Sequence, residues 1–133
     1  MESMPGIQFL IDGPVPPQHR RVHSLAALSE RFSTILSSVD VIMTKPGYGT
    51  TIEAVATRIP VVYVCRYDFT EEKQLVAYLH RYGRGVELSR ADFLEAHWEP
   101  AIRQALTLPT PASPPPACTG AADAAQILAT YLP

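Results

Sequence analysis

Residues 40–54 read Asp40-Val41-Ile42-Met43-Thr44-Lys45-Pro46-Gly47-Tyr48-Gly49-Thr50-Thr51-Ile52-Glu53-Ala54. An apolar run, a turn with two glycines and a helix-forming segment follow one another. The spacing predicts a strand, a turn and a helix N-terminus. The first amides of a helix have no intrahelical partner, and the macrodipole makes that end attractive to anions. Gly47 and Gly49 let the backbone take positive φ or approach a ligand closely. Thr50 and Thr51 add hydroxyl donors, and Lys45 adds a full positive charge. Together they form a diphosphate cradle at the carboxyl end of a strand, where open α/β sheets bind ligands.

The same residues have a purely structural reading. Thr50-Thr51-Ile52-Glu53 is a capping box, in which Thr50 and Glu53 satisfy backbone amides and do nothing else. The pattern is neither a Walker A sequence nor G-x-G-x-x-G, so spacing leaves both readings standing. A second charged loop, with Arg66, Asp68, Glu71 and Glu72, follows the next apolar run. It reads either as a solvated helix start or as a recognition loop beside the Gly47 turn. Tyr48, between two glycines, points at a ligand or onto the surface.

The elements that must position these groups are short apolar runs alternating with helix-period segments. Ile7 to Ile11, Val39 to Met43 and Pro60 to Cys65 are apolar on both faces, as strands of a covered parallel sheet are. Arg20 to His23 and Gly85 to Leu88 are weaker strand candidates. Helices are predicted over Ser24 to Ser38, Thr50 to Thr57 and Thr70 to Tyr82, with Gly83 as a stop. Another follows Ser89, with a kink or a break expected at Pro100. The order strand, helix, strand, helix predicts an α/β fold: a Rossmann-like parallel sheet with helices on both faces. Residues 1–108 form that domain. Residues 109–119 are a Pro-rich strap, with five prolines in the eight residues from Pro109 to Pro116. Residues 120–133 carry a last amphipathic helix, Ala121 to Leu132, expected to pack on the same domain.

Composition narrows the classes. With 47% hydrophobic and 18% charged residues, the 133-residue chain has enough apolar material for one packed core. Its net charge of -2 gives no surplus of positive charge for a nucleic-acid backbone. No apolar run is long enough to cross a bilayer, and Met1 is followed by no secretory signal, which predicts a soluble cytoplasmic domain. Membrane association is left open. Cys65 and Cys118 have no metal-ligand spacing, and Cys65 reads as core packing. His19 and His23 lie in a loop or short strand without an acidic neighbour, while His80 and His97 show no orienting partner in the sequence. No metal, cofactor or catalytic residue is assigned.

The segment from Asp40 to Glu53 resembles the nucleotide-binding signature in the C-terminal half of GT-B glycosyltransferases, especially the family 28, MurG-like group. Gly47 and Glu53 stand at the family's interval of six. Ile59-Pro60-Val61-Val62 is similar to the start of its next strand, with Arg58 in place of a glycine. Gly83-Arg84-Gly85 resembles its "GAG" element, and Gly120 to Ala125 its terminal helix. The variant Lys45-x-Gly47-Tyr48-Gly49-Thr50, followed by Arg66-x-Asp68-Phe69, is similar to the glycosyltransferase-like region preceding the kinase in plant arabinokinases.

The resemblance implies UDP-sugar binding. Glu53 would accept hydrogen bonds from the ribose hydroxyls, and the Gly47 to Thr51 amides and hydroxyls would hold the diphosphate. The family's donor-sugar pair is replaced by Thr70-Glu71-Glu72-Lys73-Gln74, which leaves Gln74 or the acidic pair for that role. A GT-B enzyme also needs an N-terminal acceptor-binding domain, and even the first strand of the C-terminal half is missing here. The chain is therefore expected to be inactive without such a domain or a partner subunit, and a homodimer could cover its open face. A non-catalytic α/β interaction module, or the donor half of an epimerase or hydrolase, is the alternative.

Overall fold

The computed structural model describes residues 4–15 and 17–131. Among these residues are five short strands: β1 (Phe9–Ile11), β2 (Val22–Ser24), β3 (Ile42–Thr44), β4 (Val61–Tyr63) and β5 (Gly85–Glu87). Six α-helices accompany them: α1 (Phe32–Leu36), α2 (Tyr48–Thr57), α3 (Glu72–Tyr82), α4 (Arg90–Leu94), α5 (Glu99–Thr107) and α6 (Gly120–Ala129). Every strand pair is parallel. The fold is α/β, Rossmann-like, with helices flanking parallel strands.

Instead of one continuous sheet, the strands form two ladders: β1-β2, and β3-β4-β5 in that order. The ladders nevertheless share a core. Phe9 and Val22 pack in one cluster with Val62, Val86, Leu88 and the α5 residues Ala101, Ile102 and Ala105. On the other side, Ala54 and Val55 of α2 and Leu79 of α3 close over Val61 and Tyr63. β4 is accordingly buried along its length, whereas β3, just as apolar, is only half-buried. Among the described residues its second edge has no neighbouring strand.

That open edge also explains the largest departure from the periodicity. Instead of one helix over Ser24 to Ser38, a 3-10 turn at Leu25–Ala27 is followed by extended backbone at Leu28 and then by the short α1. Leu28 and Phe32, on the expected apolar stripe, are 40% and 54% exposed. An amphipathic helix owes most of its stability to the surface it packs on, and little is there to receive this one.

Elsewhere local chemistry decides. Arg58, with φ 61 and ψ 25, ends α2 in the left-handed region, its amide donating to the Ala54 and Val55 carbonyls. Ser89 caps α4, its hydroxyl accepting from the Asp92 amide at 3.0 Å. The kink or break expected at Pro100 falls earlier: α4 ends at Leu94, Ala96 is left-handed at φ 59, and Pro100 sits in the first turn of α5, where its missing N–H does no harm. Gly83 ends α3 in extended backbone. Trp98 stacks on Phe93 at 5.8 Å and donates its indole N–H to the Phe93 carbonyl at 2.8 Å.

The strap crosses the end of α3. Thr110, Pro111, Pro114 and Pro115 line a cleft with Arg58, Tyr82 and Arg84. The terminal helix has a different place from the one expected: no residue of α6 is buried, and Ile127 and Leu128 are 60% and 65% exposed. Its expected end at Leu132 lies outside the described residues. Among the described residues no helix is long and apolar enough to cross a membrane.

Candidate functional site

The turn after β3 delivers its chain straight into α2. Pro46 is fully buried, and Gly47 is the N-cap with extended φ of -123°. The helix begins at Tyr48, two residues earlier than expected. The first backbone hydrogen bond of the turn runs from the Thr51 amide to the Gly47 carbonyl at 3.0 Å. The amides of Tyr48, Gly49 and Thr50 therefore form the open, partially positive end of α2.

This placement removes the capping box. Thr50 lies inside the first turn, and no side chain caps the helix. Glu53 sits further along on an exposed face with no capping duty. The glycines also lack the backbone role allowed for them, because neither has positive φ. Packing does not require them either. A Cβ at Gly49 would meet nothing within 4 Å, and one at Gly47 only the Lys45 carbonyl at 3.9 Å. What remains is a helix end with open space over its amides. Lys45 and Tyr48 are exposed beside it, Tyr48 at 56%. Thr51 stands apart: it is 1% exposed, and its hydroxyl is buried with no hydrogen-bond partner among the described residues. It faces the interior, away from a ligand at the helix end.

The neighbouring loop follows β4, paired in register with β3 from Ile42↔Val61 to Thr44↔Tyr63. Its organiser is Glu72, a residue read from the sequence as a sugar contact. Glu72 is 4% exposed and accepts hydrogen bonds from the amides of Arg66 and Tyr67, each at 3.0 Å, and from the Arg66 Nε at 3.4 Å. Burial would raise its pKa, but the two amides and the Arg66 charge outweigh that and hold it below the usual carboxylate range. Glu72 is thus a loop brace, corrected from its expected place at the ligand. Arg66 carries the brace across to the first turn, donating to the Pro46 carbonyl at 3.1 Å and lying over the Phe69 ring at 4.2 Å. Spacing gave no hint of this tie, because a carboxylate six residues past an arginine matches no local motif.

Asp68 and Glu71 are exposed on that loop, and Gln74 lies on the exposed side of α3. With its amide oriented to satisfy both, Gln74 donates to the Thr70 and Glu71 carbonyls at 3.2 and 3.1 Å. Tyr67, in the left-handed region at φ 66, reaches Glu87 through its hydroxyl at 3.2 Å. The Cys65 thiol behind it is pushed up to about 11 by burial and by Glu87 and Glu72, so it is protonated and unreactive at neutral pH. His80 does have a partner, the Tyr63 hydroxyl at 2.8 Å, and His97 lies 3.3 Å from Glu95. Among the described residues no group of histidine, cysteine and carboxylate side chains could hold a metal.

No family model matches the chain, and no solved structure matches it. Among curated proteins, the L-arabinokinase of Arabidopsis thaliana is 39% identical over 74 residues. The match takes in 56% of this chain but 7% of that protein. The likeness is thus confined to a small part of a much longer relative.

Proposed function

We infer that the chain is the nucleotide-sugar-binding half of a GT-B-type glycosyltransferase, taking a UDP-linked sugar at the α2 N-terminus. The observation that supports this best is the open helix end, with two glycines that neither φ nor packing demands and Lys45 beside it. The Tyr48, Gly49 and Thr50 amides hold the diphosphate, and Lys45 offsets its charge. Glu53, relieved of any capping role, accepts the ribose hydroxyls. The loop bearing Asp68 and Glu71, fixed by the Glu72–Arg66 brace, faces the sugar. The relative's name denotes a kinase acting on L-arabinose. A match to so small a part of it supports a shared binding region and no kinase activity here.

A single half cannot surround donor and acceptor or exclude water from the reaction. Transfer therefore requires an acceptor-binding domain or a partner subunit. Calorimetric titration with UDP and UDP-sugars tests the reading. Charge-assisted hydrogen bonds contribute roughly 1.5–3 kcal/mol, so Glu53→Gln should weaken binding by about ten- to a hundredfold. Absence of UDP binding by the wild type up to millimolar concentration would overturn the reading. Equal affinity of the two proteins would remove Glu53 from it.

A further inference from the structure

The Pro-rich strap carries two hydroxyl residues, Thr110 and Ser113, each followed directly by a proline. Both are exposed, and both line the cleft of about 100 Å³ that the strap forms with Arg58, Tyr82 and Arg84. A proline restricts the residue before it to extended backbone, and proline-rich chain has no internal hydrogen bonds. The hydroxyls are therefore presented on open, extended chain. Among the described residues, two guanidinium groups and no carboxylate line the cleft. Arg84 is anchored there, donating to the Leu108 carbonyl at 3.4 Å and to the Arg58 carbonyl at 2.6 Å. A guanidinium has five N–H donors, so several are left over. Among the described residues, no hydrogen bond or ion pair engages the Arg58 side chain or the two hydroxyls. Arg81 lies over the Tyr82 ring at 5.1 Å and adds positive charge nearby. This set suits a compact dianion with several acceptor oxygens.

We propose that Ser113 is a phosphorylation site whose phosphate is held in this cleft by Arg58 and Arg84. A hydroxyl residue followed by proline is the pattern that proline-directed protein kinases read. Thr110 stands two residues beyond Leu108, which Arg84 ties to the body, whereas Ser113 has free strap on both sides. In the reaction the Ser113 Oγ attacks the γ-phosphorus of ATP, and the bond to the β-phosphate oxygen breaks. ADP leaves, and the hydroxyl proton passes to the kinase's base. The new group carries a charge of about −1.5 to −2 and three acceptor oxygens for guanidinium N–H groups. One effect opposes it. Arg58 and Gly83 terminate α2 and α3 at this cleft, and each helix end carries about half a negative charge. Two full guanidinium charges outweigh them. The outcome is a strap fastened to the body, and with it the chain leading to α6. The cleft lies at the far end of α2 from its open turn, so the inference does not depend on what that turn binds.

The test treats the full chain with a purified proline-directed kinase and magnesium ATP. Mass spectrometry should find one phosphate on Ser113, and Ser113→Ala should take none there. Phosphorus NMR then follows the titration of that phosphate. In a synthetic peptide of residues 109–119 phosphorylated at Ser113, the second pKa should stand near about 6. In the folded chain it should lie lower by about half a unit or more, because the guanidinium charges favour the dianion. Arg58→Gln should return it about half of the way. Salt at about 1 M should do the same without altering the chain. Proteinase K should cut the phosphorylated strap about threefold more slowly than the unmodified one. Absence of phosphate from Ser113, or its arrival on Thr110 alone, would overturn the assignment. A phosphate that titrates in the chain as it does in the peptide would overturn its capture by the arginines.

Discussion

Glu72 and Glu53 lie on consecutive helices, yet burial gives them different work. Glu72 keeps its charge in the interior because the Arg66 and Tyr67 amides and the Arg66 guanidinium converge on it. Its folded pKa is lowered from 4.5. A carboxyl depressed in this way adds stability above its unfolded pKa and loses it as pH falls through the folded one. Glu72→Gln should therefore cost about 1.5–3 kcal/mol at neutral pH. The difference from wild type should shrink as pH falls through the lowered carboxyl pKa of the folded state. Urea denaturation at a series of pH values checks both statements. Glu53, exposed and outside any cap, should leave stability nearly unchanged when altered.

At the scale of elements, the glycines fall into two kinds that look alike in sequence. Gly83 and Gly85 join α3 to β5 under α2. A Cβ at Gly83 would lie 2.7 Å from Val55 Cγ2, and one at Gly85 2.9 Å from Leu79 Cδ2. Both positions are closed by packing, and Gly83→Ala should destabilise by about 1–3 kcal/mol. Gly49 is in a helix with open space around it. Gly49→Ala should raise stability, by up to about 1 kcal/mol, because alanine loses less backbone freedom in a helix. If phosphate approaches that backbone, the same methyl lowers UDP affinity. Denaturation and calorimetry on the pair of variants separate a packing glycine from a ligand glycine. A Gly49→Ala protein that is more stable and binds UDP unchanged would remove the close approach.

For the whole molecule, the core ends before the last helix. Arg84 donates to the Leu108 carbonyl at 3.4 Å and to the Arg58 carbonyl at 2.6 Å, tying the end of α5 to the body. Beyond the strap, α6 buries nothing. Deleting residues 117–133 should change stability by less than about 1 kcal/mol and shift Tm by no more than about 4–8 °C. A larger loss in thermal unfolding would show that α6 packs on the domain in solution.

Several features were already determined by the sequence alone. The runs at Ile7 to Ile11, Val39 to Met43 and Pro60 to Cys65 are apolar on both faces, as strands of a parallel sheet are. Pro46-Gly47 fixed the turn, and Pro100 takes its place in the first turn of α5. These are local matters, settled by side-chain volume, proline geometry and helix periodicity. Tertiary structure decided the rest. Thr50 and Glu53 fit a capping box by spacing, but the buried Pro46 and the extended Gly47 start the helix earlier. The Ser24 to Ser38 stripe has helical spacing, yet it breaks into a 3-10 turn and a short helix with Leu28 and Phe32 left exposed. Glu72 looked like a ligand group until the fold brought the Arg66 and Tyr67 amides onto it. The common reason is that burial and pairing belong to neighbours far away in the chain, and spacing along one segment cannot report them.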